Sequence, residues 1–235
     1  MLLTIKRKID SVIRKTAKRI LDADAKDIVR CRQRLAVEET AKFIELNMLN
    51  VPHFPDKFTL LDKAISAVSN EGLFCEFGVY NGQSINFIAS KIDTVIYGFD
   101  SFEGLPEDWL PEFKKGRFKV NNLPEVRENV ALIKGWFDDV LPEFAEQHAG
   151  QCSFIHIDCD LYSSTKTVFR HLKSRISTGT VIVFDEFFNF PGWKNWEYKA
   201  FAEFIADGDA KFEFLGYCRY GEQVAVKITR VGISK

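Results

Sequence analysis

Apolar and polar positions along the chain follow two periods, one helical and one strand-like. Leu2, Ile5, Ile9, Val12, Ile13, Ala17, Ile20 and Leu21 recur at spacings of three and four. That stripe predicts an amphipathic helix over 2–21. The helical pattern continues over 27–49, through Val29, Leu35, Ala36, Phe43, Ile44 and Leu46, until Pro52 and Pro55 break it. A further helix is expected at about 57–69. Beyond it come short apolar runs at 74–77, 94–99, 130–134, 153–157 and 180–184, with helix-forming or loop segments between them. Two late runs, 211–217 and 223–229, read as an antiparallel hairpin. This order predicts an α/β fold with a seven-stranded mixed sheet, in which ligands bind at the carboxyl ends of the strands. The chain is expected to divide into an N-terminal helical extension, 1–56, serving as a lid or a dimer contact, and a domain over 57–235.

Composition narrows the partners. With 235 residues, 46% of them hydrophobic, the chain can bury one full-sized core. The net charge of -1 gives no reason to expect nucleic acid. It conceals an asymmetry: residues 1–20 hold seven Lys or Arg and one Asp, a balance of +6 that leaves -7 for the rest. A basic amphipathic helix of this kind can pack on its own domain, on a second subunit in a homodimer, or on an anionic membrane surface. The five cysteines, Cys31, Cys75, Cys152, Cys159 and Cys218, are an odd number without zinc or CxxC spacing, which predicts free thiols in a reducing, cytoplasmic setting. No apolar run reaches the ~18 residues of a membrane span, and the charged start lacks a signal-peptide core, so a soluble protein is expected.

The candidate chemistry begins with a strand, a glycine turn and a helix. A run ending in Phe77 is cut by Gly78, Gly82 follows, and a second run ends in Asp100. An acid about 20 residues beyond such a turn suits the hydroxyls of a ribose. The spacing Gly78-x-x-x-Gly82, with Glu76 just ahead, differs from the GxGxxG that faces a pyrophosphate, which disfavours an NAD-dependent oxidoreductase. A carboxylate beside the turn suits instead a ligand bearing an ammonium and a sulfonium, namely S-adenosylmethionine (SAM). Tyr80, Ser84 and Ser101 flank these positions and join the expected cofactor contacts, and Trp136 and Phe137, after the third run, stand where an adenine ring would sit. Two glycines at such a turn also arise for packing alone.

Acids gather after the fourth and fifth runs: Asp158, Asp160, Asp185 and Glu186. Several carboxylates a few ångströms apart repel one another unless a cation binds, and Mg²⁺, which prefers oxygen, is the natural one. A bound cation would also help ionise an acceptor hydroxyl, giving Asp158 and Asp185 a catalytic part. Acids here can equally cap a helix, as Asp160 or Ser163 could. His156 lies within an apolar run and reads as a core histidine. Tyr162, Trp193, Trp196 and Tyr198 are the nearby aromatics on which a sugar ring could stack, or they belong to the core.

The segments EFGVYNGQS, YGFDSFEGLPEDW, HIDCDLYSST and VFDEFFNFPGW together resemble the SAM-dependent O-methyltransferases of the macrocin type, which methylate sugar hydroxyls on macrolides. The resemblance spans roughly 70–205. It implies a class I, Rossmann-like methyltransferase fold and a divalent metal held by Asp158, Asp185 and Glu186, with Asp160 as a substitute for Asp158. One departure is the Asp-Glu pair at 185–186, where an Asp-Asp or Asp-Asn pair also occurs among related enzymes. The expected function is metal-assisted methylation of a hydroxyl on a sugar, a sugar-containing natural product or a glycan. The alternative is a noncatalytic SAM-binding module that docks through its basic N-terminal helix.

Overall fold

The computed structural model describes residues 2–232. Helix α1 (Leu2–Lys26) is followed by α2 (Ile28–Asn47), with Asp27 between them as N-cap, its carboxylate accepting from Val29 N at 3.0 Å and Arg30 N at 3.2 Å. Asp24 joins the two helices through ion pairs to Arg30 and Arg34. The side chains of Leu2, Ile5, Ile20 and Leu21, half of the expected apolar stripe, lie outside the described residues. Of the remainder, Ile9, Val12 and Ile13 face solvent. The second helix is anchored: Phe43 makes edge-on contacts with Phe187, Trp193, Tyr198 and Phe214, and Met48 is buried.

Among the described residues the sheet has eight strands, in the order β1-β7-β8-β6-β5-β2-β3-β4. The seven expected runs are all present, as β2 (Leu73–Phe77), β3 (Ile96–Asp100), β4 (Val130–Lys134), β5 (Cys152–Ile157), β6 (Ile176–Phe184), β7 (Lys211–Cys218) and β8 (Val224–Arg230). The expectation of seven is corrected by β1 (His53–Phe54), which pairs parallel with β7 through His53–Tyr217 and Phe54–Cys218. Its flanking prolines read as breakers in sequence, yet an edge strand tolerates proline because one side needs no donor.

Strands β2 to β6 pair in parallel, and β8 runs antiparallel to both β6 and β7. Helices α3 (Lys57–Ser66) and α4 (Gln83–Ala89) pack on one face; α5 (Phe137–Gln147), α6 (Tyr162–Leu172) and α7 (Glu197–Asp207) pack on the other. Covered on both sides, β5 is buried at every position, which explains why its sequence runs apolar instead of alternating. From β2 the chain moves outward to β3 and β4, then crosses to β5 and β6 on the other side of β2. The boundary between β2 and β5 is therefore the switch point at which such sheets open a crevice.

Candidate functional site

The first polar side chain at that boundary is buried. Glu76 and His156 occupy opposed positions on β2 and β5, both fully buried. His156 Nδ1 lies 2.9 Å from Glu76 Oε2, and Ser84 Oγ donates to Glu76 Oε1 at 3.2 Å. Burial raises the Glu76 carboxyl, although His156 opposes the rise. Burial would lower His156, but Asp185 and Glu76 outweigh it and push the imidazole up to about 10. The two directions differ because His156 senses acids on both sides, whereas for Glu76 desolvation outweighs the bonds from His156 and Ser84. His156 thus stands between two carboxyl groups, those of Glu76 and Asp185.

One step further along the strands, Asp158 and Asp185 stand side by side. Asp158 N donates to Phe77 O and Asp185 N to Ile157 O, each at 2.8 Å, which locks the ends of β2, β5 and β6 in adjacent register. Asp185 Oδ1 is 3.7 Å from His156 Nε2 and 3.4 Å from Lys57 Nζ; Asp158 Oδ2 is 3.8 Å from the same ammonium. Lys57 arrives from the start of α3, where Asp56 caps the helix by accepting from Thr59 N and Thr59 Oγ1, both at 2.9 Å. For Asp185, burial favours the neutral acid but His156 and Lys57 prevail, and its carboxyl titrates below the usual range. Asp158 bears the cost of the crowding: burial and the Asp185 charge push it well up.

Two more acids border the opening. Asp160 takes a left-handed backbone (φ 60°), and burial with the charges of Asp185, Glu222 and Asp100 pushes it to about 7. Glu186 N donates to Glu197 Oε2 at 3.1 Å, while Glu186 Oε2 and Glu197 Oε1 are buried without a hydrogen-bond partner. Burial raises both of these carboxyls well above their ordinary range. Neither Asp160 nor Ser163 caps α6: its N-cap is Leu161, with no side-chain cap bond, and Ser163 Oγ donates to Glu107 Oε1 instead.

The glycine turn is built by Asp100. Its Oδ2 accepts from Val79 N and Tyr80 N at 2.8 Å each, and its Oδ1 from Phe102 N at 2.7 Å. Gly78 (φ 92°) makes the turn possible, since a Cβ there would lie 1.6 Å from Asp158 O. These elements border a cleft of about 670 Å³ at the carboxyl ends of the strands. Among the expected cofactor contacts, Gly78, Tyr80, Ser84, Asp100, Ser101, Trp136, Phe137 and Asp158 line it. Gly82 lies outside the lining as the left-handed N-cap of α4, and Glu76 sits behind it.

The aromatics expected to meet an acceptor lie elsewhere. Trp193 is fully buried against Phe43 and Tyr198, and Tyr162 donates to Glu203 between α6 and α7. Trp196 packs edge-on to Trp109. None of the four lines the cleft: the 187–198 segment folds back over the core under α2, and Tyr162 is turned toward α7. The aromatic faces present there are Tyr80, Phe118, Trp136 and Phe137. Lys57 went unnoticed in sequence; a capped helix start after Asp56 was its only signal.

The lining suits a cationic cofactor. Six acids, Asp100, Glu107, Asp138, Asp158, Asp160 and Glu186, line it with one cation, Lys57, which leaves little positive charge for a pyrophosphate. A volume of about 670 Å³ falls in the range of small-molecule sites. The donors also fit a divalent ion: ligand atoms of His156, Asp158 and Asp185 lie within 4.8 Å of one another, and His156 Nε2 is buried, unpartnered and directed at Asp185. Glu186 falls outside that group.

The strand order and this cleft define an α/β, Rossmann-like methyltransferase fold. A family model described as "Methyltransferase domain" matches residues 75–187. Among curated proteins, the chain is 30% identical over 141 residues to the 8-demethyl-8-(2,3-dimethoxy-alpha-L-rhamnosyl)-tetracenomycin-C 4'-O-methyltransferase of Streptomyces olivaceus. That match covers 49% of this chain and 53% of the relative, so the chain spans about half the length of the curated relative it matches. Two solved structures share the fold. The calicheamicin methyltransferase CalS11 is 20% identical with a TM-score of 0.58, over 72% of this chain and 77% of its own. The O-methyltransferase NovP is 23% identical with a TM-score of 0.58, over 74% and 79%.

Proposed function

We propose that the protein transfers a methyl group from SAM to a hydroxyl of a sugar, a sugar-containing natural product or a glycan, with a divalent cation assisting. The observation that carries this reading is the placement of Asp158 and Asp185 on neighbouring strand ends beside the Gly78 turn, at the mouth of an acid-lined cleft. The name of the tetracenomycin relative, which includes a rhamnosyl group, and that of CalS11, also described as a TDP-rhamnose 3'-O-methyltransferase, support the sugar acceptor.

When bound, SAM supplies a methyl on a sulfonium, and Mg²⁺ or another divalent cation stabilises an ionised hydroxyl. The chain does the rest. The carboxylates of the lining favour a positively charged cofactor, Asp100 holds the turn against which it rests, and Trp136 and Phe137 offer apolar faces for its adenine. His156, Asp158 and Asp185 would hold the cation. Asp160, titrating at about 7, borders the cleft and is suited to accept the hydroxyl proton at neutral pH. Fixing both reactants in one cleft can itself contribute roughly 7–11 kcal/mol.

Two features support wider readings of the same proposal. The cysteines are all free, in keeping with a reducing, cytoplasmic setting, and no helix among the described residues is long and apolar enough to cross a membrane. Exposed Ile9, Val12 and Ile13 on α1, with Ile28, Val29 and Leu35 on α2, support a homodimer contact through the N-terminal helices.

The test is methyl transfer from labelled SAM to a panel of neutral sugars and glycosides, with divalent ions and with chelator. Transfer that requires the ion is expected, and Asp185→Ala should lower it at least a hundredfold. Tight SAM binding with no transfer to any hydroxyl would favour the noncatalytic module instead.

A further inference from the structure

The centre formed by His156, Asp158 and Asp185 already contains a cation of the chain's own. Lys57 Nζ lies 3.4 Å from Asp185 Oδ1 and 3.8 Å from Asp158 Oδ2, touching both carboxylates of the group. On the opposite side His156 Nε2 faces the same Asp185 oxygen at 3.7 Å, fully buried and without a hydrogen-bond partner. Its other nitrogen, Nδ1, is held by Glu76 Oε2 at 2.9 Å. A carboxylate behind an imidazole whose far nitrogen is free is the arrangement that orients histidine as a metal ligand.

From these positions we infer that Lys57 and a divalent ion are alternative occupants of one centre, so that metal entry expels the lysine side chain into the cleft. The inference rests on the metal-assisted reading above. The physical reason is crowding of like charge. An ion coordinated by the two aspartates would take up the oxygens that Lys57 now contacts, and a divalent charge beside an ammonium with no carboxylate between them is strongly repulsive. The lysine can leave. It stands in the first turn of α3, its side chain is 28% exposed, and it already borders the cleft. A flexible four-carbon stem allows the head group to swing while the helix stays in place. Lys57 thereby balances the acids when no ion is bound and sets a threshold that the ion must exceed. Expelled, its charge is no longer balanced by the two aspartates and stands unpaired on the cleft wall.

Mn²⁺ serves as the probe, followed by its paramagnetic resonance signal and by calorimetry in the parent protein, Lys57→Met and Lys57→Arg. Lys57→Met is expected to bind Mn²⁺ at least tenfold more tightly than the parent, and Lys57→Arg no more tightly than the parent. A second readout needs no variant. Amine labelling followed by peptide mass analysis should find Lys57 protected in metal-free protein and labelled after Mn²⁺ is added, with Lys63 on the same helix as the internal reference. Equal Mn²⁺ affinity in parent and Lys57→Met, or labelling of Lys57 unaffected by the ion, would overturn the inference. So would absence of Mn²⁺ binding in every form. In that case SAM binding and methyl transfer, measured on the same preparations, show whether the methyltransferase reading stands without a metal.

Discussion

Asp100→Asn isolates the residue that shapes the cofactor side of the cleft. The Asp100 carboxylate accepts three backbone N–H groups, those of Val79, Tyr80 and Phe102, at 2.8, 2.8 and 2.7 Å. An asparagine offers one acceptor oxygen in the same space. If it keeps the Val79–Tyr80 pair, its NH₂ confronts Phe102 N–H, donor against donor. One charge-assisted bond is lost outright, which costs about 1.5–3 kcal/mol. At roughly 2–4 °C per kcal/mol for a chain of this size, melting should fall by about 3–12 °C. Because the freed Phe102 N–H lies between Ser101 and Gly104, which line the cleft, SAM affinity should fall at least tenfold. The assays are denaturant titration by circular dichroism and calorimetry with SAM. A variant that melts within about 1 °C of the parent and binds SAM equally well would refute the idea that this carboxylate builds the turn.

Gly78→Ala combines a left-handed backbone with a Cβ placed 1.6 Å from Asp158 O, so a loss above about 3 kcal/mol or failure to fold is expected in denaturant titration. Gly82→Ala, whose Cβ would meet Pro124 Cβ at 3.0 Å, should be milder. Stability of the metal-free protein should decline as pH rises from about 4 to about 7. Asp160 titrates at about 7 folded against 3.8 as a model group, so its contribution is complete below the lower value and is lost as pH rises through the upper. Asp160→Asn should flatten that decline, with a gain bounded by roughly 4 kcal/mol at pH 8; melting curves that do not change with pH would refute it. Trp193→Ala should cost about 3–5 kcal/mol as a core truncation, without altering the KM for the acceptor in the folded fraction. A KM change at intact stability would return Trp193 to the acceptor site.

Local spacing made some features of this protein legible in sequence and left others hidden. The seven longer strands could be read because each is an apolar run bounded by glycine or acid; a two-residue strand between Pro52 and Pro55 carries no period to read. Asp158 and Asp185 could be placed together because both end strands expected to be neighbours. Trp193 and Tyr198 could not be told from cleft residues, because an aromatic two turns past a strand end looks the same whether its segment lines the opening or folds under α2. The partner of Glu76 was hidden for another reason. It is His156, eighty residues away on β5, and only the pairing of β2 with β5 sets the two in register.

By itself, the sequence determined the alternation of strands and helices, the glycine turn and the acids at the strand ends, because each depends on local spacing and backbone freedom. Tertiary structure alone decided which charges meet. Lys57, Glu76, His156, Asp158 and Asp185 come from four separate elements, and their energies depend on distances of 2.9–3.8 Å that no spacing along the chain encodes. Coulomb interactions vary with separation and burial, and both are set only when the sheet is assembled.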